Sequence, residues 1–248
     1  AYYEKVGSNW KMTTWKTYSS QVRRAGKSLI ALGVEHGTPV TILGFNSPEW
    51  TTMDCAAFSI GGVPAGIYMQ NPAVEVEYIV KHCESPVLLI EDETQWAKVA
   101  ESRDSCPHLK HVVTYRGVTV DDPMVMTWDQ FIAYGSKLDD SVFDQRMAEL
   151  QDDQAATLIY TSGTTANPKG VMLTHKNLWW TADAALKITG VDHNDCSLSY
   201  LPLAHIAEQM FTIHVPVSAG MPVYFAEGID APTLAANLGE VQPTVFFG

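Results

Sequence analysis

The sequence predicts an α/β fold: doubly wound, mostly parallel sheets with flanking helices. Three observations carry this. Short apolar runs alternate with amphipathic, capped segments along the chain. The runs Val40–Leu43, Pro86–Ile90 and Ala155–Tyr160 lack the polar alternation of a half-exposed strand, as expected of strands buried on both faces. The chain has 248 residues, 46% of them hydrophobic, enough for a sizeable core without disulfide staples.

In order, Tyr2–Trp15 is polar with aromatics and reads as an extended or hairpin segment. Thr17–Leu32 places Tyr18, Val22, Ala25, Leu29 and Leu32 near helical spacing, and Gly33 ends it. Val40–Leu43 is a strand. Ser47 caps a helix with Pro48 at its first position, running to about Ile60 and closed by Gly61 and Gly62. Pro64–Tyr68 is a strand, Asn71–Glu84 a helix, Pro86–Ile90 a strand. Thr94–Glu101 is helical, Leu109–Thr114 a strand, Gly117–Pro123 a turn-rich connector. Thr127 caps a short helix.

The acidic stretch Ser136–Gln154 reads as a solvated surface segment with one short helix around Phe143–Leu150. Lys176–Thr189 is a helix carrying Trp179 and Trp180; their adjacency predicts that one of them packs in the core. Ser197–Leu201 is a strand, Pro202–Val215 a turn and helix, Gly220–Phe225 a turn and strand. Pro232–Gly239 is a helix and Thr244–Phe247 the last strand.

The chemistry concentrates in Leu158–His175. A buried strand opens into the hydroxyl-rich loop Thr161–Thr165, passes Pro168, Lys169 and Gly170, and continues as the short apolar run Val171–Leu173. Backbone N–H groups in such a loop can form an anion-binding concavity. The hydroxyls of Thr161, Ser162, Thr164 and Thr165 add donors, and Lys169 adds a point charge. The loop is not a Walker A motif, because Pro168 precedes the lysine and Gly170 follows it. Pro168 has no N–H and a fixed φ, so the lysine sits in a stiffened turn between strands. Ser162 lies in no Gly-x-Ser-x-Gly elbow, which argues against a serine hydrolase. His205, Glu208 and His214 do not make His-Glu-x-x-His, so a zincin is excluded.

The net charge is −12, and no arginine-rich face opposes it, which argues against a nucleic-acid partner. A phosphate site would need a local positive patch, for which Lys169 and Lys176 are the candidates. The four cysteines are scattered, with no Cys-x-x-Cys pair, and read as reduced thiols of a cytoplasmic protein. No apolar run reaches transmembrane length, and no signal peptide is visible. Peripheral membrane contact stays open. The sequence starts at Ala1 without methionine and stops at Gly248, inside the last expected strand, as expected of part of a larger domain.

Thr161–Gly170 resembles the phosphate loop of the adenylate-forming enzymes, which include acyl- and aryl-CoA synthetases, luciferases and peptide-synthetase adenylation domains. That loop runs Thr-Ser/Thr-Gly-Thr/Ser-Thr-Gly-x-Pro-Lys-Gly, and the one departure is Ala166 in place of glycine. Leu201-Pro-Leu-Ala-His205 resembles the Leu-Pro-[Leu/Met]-x-His segment that follows the loop in that family. Together with Asn46-Ser-Pro-Glu-Trp50 it looks most like the bubblegum-type long-chain acyl-CoA synthetases.

The resemblance implies an incomplete large N-terminal, AMP-binding domain over residues 1–248, with the C-terminal lid domain absent. It implies ATP, Mg²⁺ and CoA as cofactors and a fatty acid as substrate. It assigns Thr161, Ser162, Gly163, Thr164, Thr165, Lys169 and Gly170 to ATP, Thr161 also to Mg²⁺, and Lys169 and His205 to catalysis. Residues 1–248 alone are then expected to bind ATP weakly and not to turn over. The alternatives are an aryl- or other acid-CoA ligase, or a non-catalytic relative binding lipid or nucleotide.

Overall fold

The computed structural model describes residues 1–118, 120–161 and 167–247. The loop residues Ser162, Gly163, Thr164, Thr165 and Ala166 fall outside the described residues. The chain opens with the hairpin β1 (Tyr2–Val6) and β2 (Asn9–Thr13), then α1 (Trp15–Ala31). Next come β3 (Pro39–Leu43), α2 (Pro48–Ser59), β4 (Val63–Ile67), α3 (Ala73–His82), β5 (Val87–Ile90) and α4 (Glu93–Ala100). β6 (His111–Thr114), β7 (Val125–Thr127), α5 (Trp128–Tyr134) and α6 (Asp140–Ala148) lead to β8 (Ala155–Thr161) and β9 (Lys169–Thr174). α7 (His175–Thr189), β10 (Ser197–Ser199), α8 (Ile206–Gln209), a π-helical turn (Met210–His214) and α9 (Val215–Ala219) follow. β11 (Val223–Phe225) and α10 (Ala231–Val241) close the chain.

The caps act where the sequence puts them. The Ser47 hydroxyl accepts from the Trp50 N–H, with Pro48 in the first turn of α2. Thr127 and Gln130 close a reciprocal capping box on α5. Gly33, at φ +87°, turns the chain after α1 in a conformation that a Cβ would strain.

Among the described residues, the larger sheet has the order β7-β6-β5-β3-β4-β8-β9. It is parallel apart from the antiparallel edge pair β8–β9. Alternation along its strands sends side chains to two cores. Val40, Ile42, Val87 and Leu89 meet Leu29 of α1, Trp50 and Met53 of α2, and Phe131 of α5. Leu43, Leu88 and Ile90 meet Val76, Ile79 and Val80 of α3 and Val99 of α4. Helices thus cover both faces, as the unalternating apolar runs require. The smaller sheet, β10-β11-β1-β2, pairs the N-terminal hairpin with strands from the end of the chain. There Tyr3 stacks on Tyr224 at 4.2 Å between ring centroids.

The structure departs from the sequence reading in three places: a short β7, the last strand and the two tryptophans. The acidic stretch 136–154 is mostly exposed surface carrying one short helix, as the sequence reading expects, and a few contacts anchor it. Phe143 of α6 is buried against α1, Lys27 pairs with Asp140 at 2.6 Å, and Arg146 donates to the carbonyls of Val34 and Ile60. β7, three residues long, was not expected. The last expected strand is reduced to a parallel bridge between Ser197 and Val245. Neither Trp179 nor Trp180 is core: both are about two-thirds exposed, while Leu178 and Ala182 form the buried stripe of α7.

Gly66 of β4 faces the loop before α8. A Cβ there would lie 2.7 Å from Ala204 Cα and 3.1 Å from the Trp50 ring. Gly66→Ala is expected to lower stability by about 2 kcal/mol through overpacking, read as a lower urea midpoint at unchanged m-value.

Candidate active site

β8 and β9 form the arm that holds the phosphate-type loop. Their antiparallel register places Thr161 opposite Lys169 and Tyr160 opposite Gly170. The loop therefore leaves and re-enters the sheet at one point, with Thr161 and Lys169 exposed at its two feet. Gly170 lies under the Tyr160 ring, which an added Cβ would approach to 3.3 Å. The Tyr160 hydroxyl is 2.9 Å from His82 Nδ1, and burial pushes its pKa up, so the phenol stays protonated. Among the described residues no carboxylate pairs with Lys169.

His205 reaches the same place from the other sheet. It is the N-cap of α8, and its Nδ1 accepts from the Ala207 N–H at 3.1 Å. The side chain is exposed, and among the described residues Nε2 has no hydrogen-bond partner. Thr161, Pro168, His205, Ile206, Tyr68 and Glu75 line one cleft of about 390 Å³. Thr161 and Pro168, on either side of the loop, thus share a cavity with His205, which lies 44 residues beyond Thr161.

What fixes His205 was not read from the sequence. Glu208, 3% exposed, accepts through Oε1 from Ser199 Oγ and Thr212 Oγ1 at 2.8 Å, from the Tyr200 N–H at 3.2 Å and from Asn46 Nδ2 at 3.4 Å. Asn46 also donates to the Leu201 carbonyl and accepts from the Leu203 N–H, and Gln209 donates to the Leu203 carbonyl. The turn Pro202–His205 is therefore pinned between the strand β3 end and α8. Burial raises the Glu208 carboxyl to about 7, against which the hydrogen bonds work. Asn46 beside the Ser47 cap was the available signal, but nothing in the sequence pairs it with Glu208.

A Mg²⁺ ion binds through one or two carboxylates, water and substrate phosphates. Among the described residues no group of three or more His, Cys, Asp or Glu side chains could hold a metal ion. The exposed Thr161 would offer one hydroxyl to an ion held otherwise by substrate phosphates and water.

All four cysteines are free, and burial raises Cys55 to about 12, so its thiol is inert at neutral pH. No described helix is long and apolar enough to cross a membrane.

Fold and cleft define a mixed α/β domain in which Thr161 and Pro168 of an edge hairpin share a cleft with a histidine from the neighbouring sheet. The chain belongs to the AMP-binding enzyme family, whose model matches residues 1–248. It is 41% identical to the long-chain-fatty-acid–CoA ligase ACSBG2 of Xenopus laevis over 98% of this chain and 34% of that protein. It is 40% identical to ACSBG2 of Homo sapiens over 98% of this chain and 37% of that one. The chain thus spans about a third of the length of these relatives. Among solved structures, the anthranilate CoA ligase AuaEII in complex with anthranoyl-AMP superposes with a TM-score of 0.85 at 22% identity, over all of this chain and 46% of that one. The N-terminal domain of FACL13 from Mycobacterium tuberculosis gives 0.76 at 24%, over 98% and 57%. At such identities these structures establish the fold.

Proposed function

We propose that the full-length protein activates a long-chain fatty acid with ATP and then transfers the acyl group to CoA. The fatty carboxylate attacks the α-phosphorus, giving acyl-adenylate and releasing pyrophosphate. The CoA thiol attacks the acyl carbon, forming the thioester and releasing AMP. Residues 1–248 are the N-terminal, AMP-binding part of that enzyme. The observation that carries this is the shared cleft of Thr161, Pro168 and His205, in a chain whose relatives are named as long-chain ligases.

The first step joins two anions, so alignment and charge neutralisation dominate its barrier. Lys169, exposed at the foot of the loop, brings a full positive charge to the β- and γ-phosphates. Thr161 and the loop residues Ser162, Gly163, Thr164, Thr165 and Gly170 offer hydroxyl and N–H donors. His205 lines the end of the cleft where the carboxylate enters. Mg²⁺, when bound with ATP, neutralises phosphate charge.

The test is carboxylate-dependent ATP–pyrophosphate exchange by the full-length protein with C2 to C18 acids and benzoate. Exchange peaking with long-chain acids is expected. Exchange with aryl acids alone would keep the first step and exclude the fatty substrate. No exchange with any acid, from folded protein, would indicate a non-catalytic relative.

A further inference from the structure

Two walls of the cleft come from distant parts of the chain. α3 supplies Glu75 and Ile79, and the β8–β9 hairpin supplies Ile159, Tyr160, Thr161 and Pro168. The hairpin is lightly attached where it meets the cleft. β8 pairs with β4 only at Leu158 and Ile159, and β9 is the edge strand of the sheet. Tyr160 and Thr161 therefore have register partners on one side only, Gly170 and Lys169. Beyond Ile159 the lateral position of this tip falls to side chains.

Among the described residues, the only side-chain hydrogen bond made by Tyr160, Thr161, Lys169 or Gly170 joins Tyr160 Oη to His82 Nδ1, at 2.9 Å. With the phenol protonated, its O–H can donate to the bare Nδ1 of the Nε2–H tautomer. His82 is the last residue of α3, so this bond ties one wall of the cleft to the other. Its imidazole stacks on Tyr78, one turn earlier, with 5.2 Å between ring centroids and 23° between planes, which sets the plane of the ring. The Tyr160 ring stands edge-on to the imidazole at 5.8 Å and 81°. On its other side it abuts Gly170, where an added Cβ would come within 3.3 Å of it. Contact thus runs from Tyr78 through His82 and Tyr160 to Gly170, next to Lys169. Tyr160 is buried and His82 is exposed, so the imidazole adds its hydrogen bond without filling the core.

We propose that His82 is a positioning residue for ATP: through Tyr160 it fixes the hairpin tip against α3 and so sets where Thr161 and Lys169 meet the phosphates. This rests on the adenylation reading given above. His82 acts through Tyr160 and touches no substrate.

The test is ATP–pyrophosphate exchange by the full-length protein, with ATP varied at saturating fatty acid and the fatty acid varied at saturating ATP. His82→Ala and Tyr160→Phe each remove the bond, and Phe keeps the ring against Gly170. Each is expected to lower kcat/KM for ATP by about tenfold, the scale of a sub-ångström misplacement, with KM for the fatty acid unchanged. His82→Ala is expected to melt as wild type does, since the residue is exposed. The double variant is expected to lose no more than either single variant, because both remove one bond. His82→Asn, whose side-chain oxygen can accept where Nδ1 does, is expected to recover most of the loss. Wild-type ATP dependence in His82→Ala overturns the positioning role and leaves the adenylation reading standing. So do losses that multiply in the double variant, an equal loss toward ATP and fatty acid, or no recovery with Asn. Wild-type protein that exchanges with no acid removes the adenylation reading and this proposal with it.

Discussion

Glu208→Ala is expected to destabilise the fold by about 3 kcal/mol and to lower carboxylate-dependent exchange by about 10²-fold in whatever protein remains folded. The carboxylate collects four donors from three elements: Asn46 after β3, Ser199 and Tyr200 at β10, and Thr212 in the π-helical turn. Truncation strands them inside the protein, and an unmade buried hydrogen bond costs about 1–3 kcal/mol. The two hydroxyls can turn to other acceptors; the Asn46 amide and the Tyr200 N–H cannot. The same network pins Leu203, two residues before His205, so the histidine loses its placement in the cleft. Glu208→Gln keeps the shape and separates the two effects. Burial raises Glu208 from 4.5 to about 7, so its ionisation opposes folding as pH rises through that interval. The Gln variant is expected to flatten this pH slope and to retain more exchange than Ala. If Glu208→Ala melts and exchanges as wild type does, the pinning role of the network is wrong.

What the sequence revealed follows the range of the interactions involved. Ser47 and Thr127 act on backbone N–H groups three residues away, so their caps were readable. The strands around the loop were readable because Ala155–Tyr160 and Val171–Leu173 are apolar runs on either side of a turn-forming Pro168 and Gly170. The exposed, acidic character of α6 was readable, but not its anchors Arg23 and Lys27, which lie more than a hundred residues earlier on α1. Trp179 and Trp180 were misjudged because the buried stripe of α7 passes through Leu178 and Ala182, leaving both indoles outside it. β7 is only three residues long and shows no period of its own. His205 was legible only through its neighbours Leu201-Pro-Leu-Ala. Glu208, which holds it, pairs with residues 9 and 162 positions away, and no local pattern encodes such a contact.

Lys169→Ala is expected to lower ATP–pyrophosphate exchange by about 10²–10³-fold while moving the melting temperature by no more than an exposed substitution does. The separation follows from its position. Lys169 is the exposed first residue of β9, its backbone held by pairing with Thr161, and no carboxylate among the described residues uses its charge. Removing the side chain takes nothing from the core, in contrast with Glu208→Ala. What it removes is a cation beside a site where two anions must meet, on a protein whose net charge of −12 works against both. Lys169→Arg tests the kind of contact. A guanidinium restores the charge but needs a planar, two-pronged partner, whereas a lysine serves as a point charge at any angle. Partial recovery with Arg, chiefly as a raised KM for ATP, is expected if the lysine neutralises phosphate. Full exchange by Lys169→Ala would place the anion site elsewhere, since Pro168 fixes the approach of the chain whether or not the ammonium is there.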